Sequence, residues 1–254
     1  MAKESFDRFY SDIYGTRWPF LRGSLCLPTH PVEYHEGLLQ PYHLDEGSII
    51  AAKTLPVADA DEVLDMCAAP GGKSLVLATR MKESSLMVSN DRSSQRRGRL
   101  RKVLDEHLPE QMRNRIKVTS HDATKWGIHE QQRYDAVLLD APCSSERHVL
   151  QDAKALSQWS PSRSKRLAIQ QFAMLAAALE AVRIGGHILY STCSISPLEN
   201  EQVIGKLYKK REERFEEVSV FEPLSEQLEH GFIIMPDTAG GRGPLYFCLL
   251  RRIS

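Results

Sequence analysis

The stretch Val63-Leu64-Asp65-Met66-Cys67-Ala68-Ala69-Pro70-Gly71-Gly72-Lys73-Ser74 leaves few folds open to this chain. A short apolar run meets a turn of small residues and then a helical pattern, which is how a parallel α/β unit begins. The small residues Ala68, Ala69, Gly71 and Gly72 let a ligand approach the backbone. The helix beyond them turns its unpaired N–H groups the same way.

Three ligand classes use such a loop. A phosphate loop needs Gly, four residues, then Gly-Lys-Ser or Gly-Lys-Thr. Gly72-Lys73-Ser74 supplies the end of that pattern, but Cys67 stands at its first glycine. The dinucleotide pattern Gly-x-Gly-x-x-Gly is absent. S-adenosylmethionine, which has no phosphate to cradle, remains. The residues placed around it are Cys67, Ala68, Ala69, Pro70, Gly71, Gly72 and Lys73.

From Glu62 the chain alternates regularly. Strands are predicted near 62–66, 86–90, 115–120, 134–140 and 186–191, with helices near 73–82, 94–106, 160–183 and 197–212. Gly185-Gly186 reads as the stop of the long helix. Two later strands, Gly231 to Met235 and Leu245 to Leu250, close as a hairpin. The expected fold is α/β: a mostly parallel, doubly wound sheet with an antiparallel C-terminal edge. Residues 61–254 form that domain. Residues 1–60 are read as an N-terminal extension packed on it, with an aromatic-rich start (Phe6 to Leu21) carrying one or two helices, and a short helix over Ser48 to Leu55.

In an open α/β sheet the ligand sits at the carboxyl ends of the strands. Asp91 ends the second predicted strand, where an acid reads ribose hydroxyls in related folds. Asp122 ends the third and is placed to face an adenine edge; Asp140 ends the fourth. One strand-end aspartate is usually a helix cap. Three in succession after this loop point to a cofactor.

Four stretches together carry a resemblance: Cys67 to Lys73, Asp140-Ala141-Pro142-Cys143, Ser191-Thr192-Cys193-Ser194 and Gly243-Pro244-Leu245-Tyr246-Phe247. Over roughly Val63 to Arg252 the chain resembles the Sun/Fmu (NOL/NOP/Sun) family of RNA cytosine-5 methyltransferases. Ser144-Ser145-Glu146-Arg147-His148 and the compact C-terminus look most like its mitochondrial small-subunit rRNA enzymes and their bacterial relatives. The resemblance implies a Rossmann-like class I methyltransferase, S-adenosylmethionine as cofactor, and Arg96 as a further cofactor contact.

The cysteine in Asp140-Ala141-Pro142-Cys143 selects carbon methylation. C5 of cytosine is a poor nucleophile, and a thiolate added at C6 makes it enamine-like. Enzymes that methylate an exocyclic amine instead carry Pro-Pro and an aromatic here. Cys193 offers a second thiol on the neighbouring strand, roughly 4.8 Å away. Chemistry alone leaves open which one attacks. The resemblance assigns attack to Cys193 and release to Cys143. Lys73 is the expected partner of Asp140, tuning or holding its charge, and Asp140 is placed to bind N3 and the amino group of a flipped base.

Composition bounds the rest. Lys plus Arg and Asp plus Glu both number 33, so nucleic-acid binding must rest on clusters rather than surplus. Arg92 to Lys102 and Arg163 to Arg166 are the candidates; Lys209-Lys210-Arg211 reads as a solvated helix face. Five cysteines without a Cys-x-x-Cys pair exclude a zinc site and a disulfide frame. Cys26 and Cys248 are read as structural, as is the thiol of Cys67, and His30, His35 and His43 lack metal-ligand spacing. No membrane span or transit signal is evident. A cytoplasmic monomer is expected, or a mitochondrial one in a processed eukaryotic chain. Its substrate would be small-subunit rRNA, docked with help from structured RNA, a ribosomal surface or an accessory protein. The alternatives are a tRNA cytosine-5 methyltransferase and a non-catalytic RNA-binding assembly factor. A DNA enzyme would need a recognition insert for which there is no room; Leu198-Glu199-Asn200-Glu201 only mimics its Glu-Asn motif.

Overall fold

Strands covered on both faces need apolar residues at successive positions, and the runs from Val63, Tyr134 and Leu245 supply them. The computed structural model describes residues 2–29 and 31–254. A small hairpin pairs β1 (Val32–Tyr34) with β2 (Tyr42–Leu44). The main sheet opens with β3 (Glu62–Asp65), β4 (Leu86–Asn90), β5 (Ile116–Thr119), β6 (Tyr134–Asp140) and β7 (Val182–Thr192). These lie parallel in the order β5-β4-β3-β6-β7. Four later strands follow: β8 (Phe215–Glu217), β9 (Glu226–Gln227), β10 (Phe232–Ile234) and β11 (Leu245–Arg252). β11 runs antiparallel to β7; β10 pairs with its start, β8 with its end, and β9 borders β10.

The sheet is thus doubly wound, mostly parallel, with an antiparallel side, as the alternation predicted. Val63, Leu138, Leu189 and Leu249 face one core, which helices Glu46–Thr54, Gly72–Ala78 and Ser94–His107 cover. Leu64, Val137, Ile188 and Leu250 face the other, under helix Pro161–Ala181. The period of two along each strand sorts them.

The turn after β3 depends on one glycine. Gly71 has φ +123°, and a Cβ there would lie 3.0 Å from Val103 Cγ1 of helix Ser94–His107. Neither the backbone nor the neighbour leaves room for a side chain.

Three local readings change. Gly185 and Gly186 do not stop the long helix, which ends at Ala181; they lie inside β7. A Cβ on Gly186 would sit 2.8 Å from the Asp135 carbonyl of β6, where the pairing register shifts. Glycine here admits close backbone approach at a bulge. The last helix begins at Glu201 rather than 197, because Glu199 and Asn200 are turned inward by hydrogen bonds. Between the aromatic start and the short helix near Ser48, where no strand is predicted, lies the β1–β2 hairpin, too short to show a period.

The aromatic start forms helices Ala2–Tyr14 and Trp18–Cys26. Phe6 is fully buried, with its ring centroid 4.8 Å from Tyr10 and 4.9 Å from Trp159. His43 pairs loosely with Glu33 at 3.4 Å, and His30 lies outside the described residues. Among the described residues no group of three or more His, Cys, Asp or Glu could hold a metal ion, and no helix is long and apolar enough to cross a membrane.

Phe6→Ala should cost about 3–5 kcal/mol, the usual loss for a buried aromatic truncated to alanine. Urea unfolding with both near- and far-ultraviolet dichroism measures it. An unchanged midpoint would mean that the first helix contributes nothing to the cooperative core.

Candidate active site

Five strand ends converge on one side of the sheet, each carrying polar side chains. Asp91, just past β4, is 3 % exposed. Its Oδ1 accepts from the Ser93 backbone N–H at 2.8 Å. Its buried Oδ2 lies 3.0 Å from Arg96 Nη1 but takes no directed hydrogen bond. Arg96 also reaches across to donate to the Ala69 carbonyl at 2.5 Å, so it ties helix Ser94–His107 to the glycine turn. Asp122, past β5, accepts from Thr124 N and Oγ1 and pairs with Arg92 at 3.6 Å. It is both a helix cap and a wall of the site.

Asp91, Arg96 and Asp122 line a cavity of about 360 Å³ together with Met66, Cys67 and Met174. Cys67 also belongs to a second, smaller cavity, lined by Ala68, Ala69, Pro70, Gly72, Lys73 and Asp140. Ser48 links that one to a third, of about 300 Å³, which holds Cys193, Ser145 and His148. Three adjoining spaces therefore run from Asp91 to Cys193. The loop Cys67–Lys73 lies between the ends.

At the centre Lys73 Nζ donates to Asp140 Oδ2 at 2.9 Å and to Ser48 Oγ at 3.1 Å. Ser191 Oγ donates to Asp140 Oδ1 at 2.9 Å. Burial works against the lysine charge, and the Asp140 carboxylate outweighs it, holding Lys73 above the ordinary lysine range. Lys73 is an ammonium ion here. Asp65, beneath the loop, is fully buried, accepts from Ser74 Oγ at 2.6 Å and leaves Oδ1 without a partner. Burial raises it to about 7.

The two thiols meet at the β6 and β7 ends. Cys143 Sγ lies 3.1 Å from Cys193 Sγ. Ser145 Oγ is 3.4 Å from the first and 3.2 Å from the second, in a left-handed backbone conformation (φ +54°) uncommon outside glycine. The hydrogen bond from Cys143 lowers Cys193 most; Ser145 and Lys73 help, against desolvation and the Asp140 charge. The same contact drives Cys143 well above the ordinary thiol range. Of the pair, Cys193 is the one whose surroundings favour the thiolate, and it is exposed to solvent. Burial and nearby carboxylates push Cys67 up, so its thiol is inert; Cys248 is buried and Cys26 lies exposed on the second helix.

Sequence reasoning missed Ser48, Asp65 and Ser145. Nothing in their spacing marks them: each matters through a partner brought in by the fold. Of the basic run, Arg96 and Arg97 bond to backbone carbonyls within the domain, while Arg92, Arg99, Arg101 and Lys102 stay exposed.

A family model described as 16S rRNA methyltransferase RsmB/F matches residues 52–251. The Mus musculus 5-cytosine rRNA methyltransferase NSUN4 is 37% identical over 234 residues, covering 85% of this chain and 61% of its own. The Danio rerio mitochondrial tRNA (cytosine(34)-C(5))-methyltransferase is 32% identical over 240 residues, covering 89% and 64%. The crystal structure of NSun6 from Pyrococcus horikoshii with SFG superposes at a TM-score of 0.69 and 25% identity, over 87% of this chain and 54% of that one. The chain spans about six-tenths of the length of these curated relatives.

Iodoacetamide should alkylate Cys193 before Cys143, with a rate midpoint below the ordinary thiol value of about 8.5. Lys73→Met removes a cation that favours the thiolate, so the midpoint should rise. Mass spectrometry of peptides alkylated across a pH series reads both. Faster labelling of Cys143 would reverse the thiol assignment.

Proposed function

The chain belongs to the 16S rRNA methyltransferase RsmB/F family, and from that premise we propose that it methylates C5 of cytosine in RNA, with small-subunit rRNA as substrate. The observation that carries this reading is the thiol pair, 3.1 Å apart, at the far end of the cavities that begin at Asp91. A binding scaffold would keep the sheet but has no use for two thiols in contact.

The residues fit S-adenosylmethionine. Asp91, a carboxylate with one oxygen that takes no hydrogen bond, lines a space bounded by apolar Met66, Ala123 and Met174, suited to a ribose hydroxyl beside a base. Asp91, Asp122, Arg96 and the loop from Cys67 to Lys73 would hold it. When bound, it supplies the methyl group as an electrophile.

The chain's own residues do the rest. Asp140, fixed by Lys73 and Ser191, presents a carboxylate that can accept from the amino group of an extruded cytosine, and from N3 when that nitrogen carries a proton. The Cys193 thiolate adds to C6, forming an S–C6 bond and moving an electron pair toward C5. Once C5 carries its new carbon, Cys143 assists release: the C5 proton leaves, the S–C6 bond breaks and the ring regains aromaticity.

Asp91→Ala should weaken S-adenosylmethionine binding by about tenfold to a hundredfold, the worth of one hydrogen bond to a charged group at 1.5–3 kcal/mol. Calorimetry on the folded variant measures it. Undiminished affinity would remove Asp91 from the cofactor site.

The thiols separate on a denaturing gel. With labelled cofactor and small-subunit rRNA, Cys193→Ala should transfer no methyl group and form no adduct. Cys143→Ala should accumulate a protein–RNA complex that resists SDS. RNA containing 5-azacytidine, which has no C5 proton to lose, should trap the parent enzyme in the same way. Adducts from Cys193→Ala and none from Cys143→Ala would reverse the roles. Labelling of tRNA alone would move the substrate to the class named for the Danio rerio relative.

A further inference from the structure

Behind the thiols lie two carboxyl groups with no access to solvent. Glu146 and Glu199 are both 0 % exposed. Glu199 Oε2 accepts from the Ser144 backbone N–H at 2.9 Å and from Gln171 Nε2 at 3.0 Å. Gln171 also donates to the Pro142 carbonyl at 2.9 Å, so the loop around Cys143 is gripped on both sides. Glu146 Oε2 accepts from the Ile195 N–H at 3.0 Å, and its Oε1 from Tyr10 Oη at 2.6 Å and Ser194 Oγ at 3.3 Å. Each carboxyl group therefore reaches a loop next to a cysteine, and Glu146, from the Cys143 side, holds the Cys193 side.

Ser144 Oγ sits between them. It lies 2.5 Å from Glu199 Oε1, within hydrogen-bond distance of Glu146 Oε1, and 3.0 Å from Ser194 Oγ. A hydroxyl has one proton to give. It cannot donate to both carboxylates, so the second contact needs a proton on the acid. Both oxygens of Glu146 already accept. Oε1 of Glu199 is the remaining place for the proton, and no cation contacts either carboxyl group among the hydrogen bonds and ion pairs of the described residues. The neighbouring Arg147 turns away, to the carbonyls of Leu27 and Gly241. Burial and the Glu146 charge also favour the neutral acid at Glu199. The other titratable groups facing the pair are Tyr10 and Tyr14 from the first helix, Cys143 and Tyr190.

We propose that Glu199, Ser144 and Glu146 form a proton-sharing clamp, capped by Tyr10, whose carboxyl groups are positioning residues that hold the two cysteine loops together. The order of donation runs from Glu199 to Ser144 to Glu146, with Tyr10 donating from the opposite side. The N-terminal helix thereby reaches the cysteine loops through two hydroxyls, Tyr10 on Glu146 and Tyr14 on the Ile195 carbonyl. The role in turnover rests on the function proposed above; the geometry of the thiols does not.

The test pairs steady-state kinetics with diamide cross-linking, in which the reagent takes up two thiol hydrogens as the Cys143–Cys193 bond forms. Glu199→Ala should lower kcat and the cross-linking rate by about tenfold or more, with KM nearly constant, as loss of a buried hydrogen bond in a network implies. Glu199→Gln should restore both, since its amide donates to Ser144 and its oxygen still accepts. Glu146→Gln should not, because it sets an N–H group against donors. Tyr10→Phe, a milder change that keeps the ring in the core, should give a smaller loss of the same kind. Equal loss in both glutamine variants overturns the proton assignment. Lost turnover with unaltered cross-linking overturns the positioning role. If the parent methylates no RNA while cross-linking follows this order, the clamp stands and the proposed function falls.

Discussion

The ion pair between Lys73 and Asp140 is the contact on which the site depends. Lys73 sits in the first turn of the helix after β3, Asp140 at the end of β6, and Ser191 at the end of β7 completes the group. Three chain segments far apart in sequence are thereby fixed at one point. The lysine side chain is 12 % exposed and that of Asp140 32 %. Such a partly buried pair adds little net stability, but removing one partner leaves an uncompensated charge, at a cost below the roughly 3–5 kcal/mol of a fully buried pair. Its worth lies in geometry: it holds the glycine turn against the sheet while the cavities form on either side.

The sheet and its order were legible because strands covered on both faces write apolar runs that few other elements produce. The ends of those strands were legible for a related reason. Asp91, Asp122 and Asp140 interrupt apolar runs where a ligand can reach them. What stayed hidden depends on partners brought together by topology. Ser145 acquires its role only because β7 lies beside β6. Glu199, read as a mere echo of another motif, is buried under a loop more than fifty residues earlier in the chain. Gly185 and Gly186 misled because a glycine pair is the same signal at a helix stop and at a bulge; only the Asp135 carbonyl decides between them.

The basic run after Asp91 illustrates how a charge cluster divides. Arg96 and Arg97 satisfy the carbonyls of Ala69, Asp91 and Arg92 in the turns beside the Asp91 cavity. Arg92, Arg99, Arg101 and Lys102 remain in solvent on the same helix and the turn before it. Arg92 faces Asp122 and Lys102 faces Glu106, which leaves Arg99 and Arg101 without an ion-pair partner among the described residues. Counting lysines and arginines would have missed the division, because what each side chain bonds to separates the two uses, and Arg96 is itself exposed.

Two thiols 3.1 Å apart cannot both be ionised at moderate cost, since like charges at that distance repel strongly even when well screened. The site must therefore choose, and its surroundings are unequal. Lys73 and Ser145 favour a thiolate at Cys193, which also faces solvent, while Cys143 sits deeper and keeps its proton as donor. That division matches the addition and release proposed above for the two residues. An attacking group would need a lone pair directed outward, and a group assisting departure would have to exchange a proton beside it; one hydrogen bond between the thiols serves both requirements.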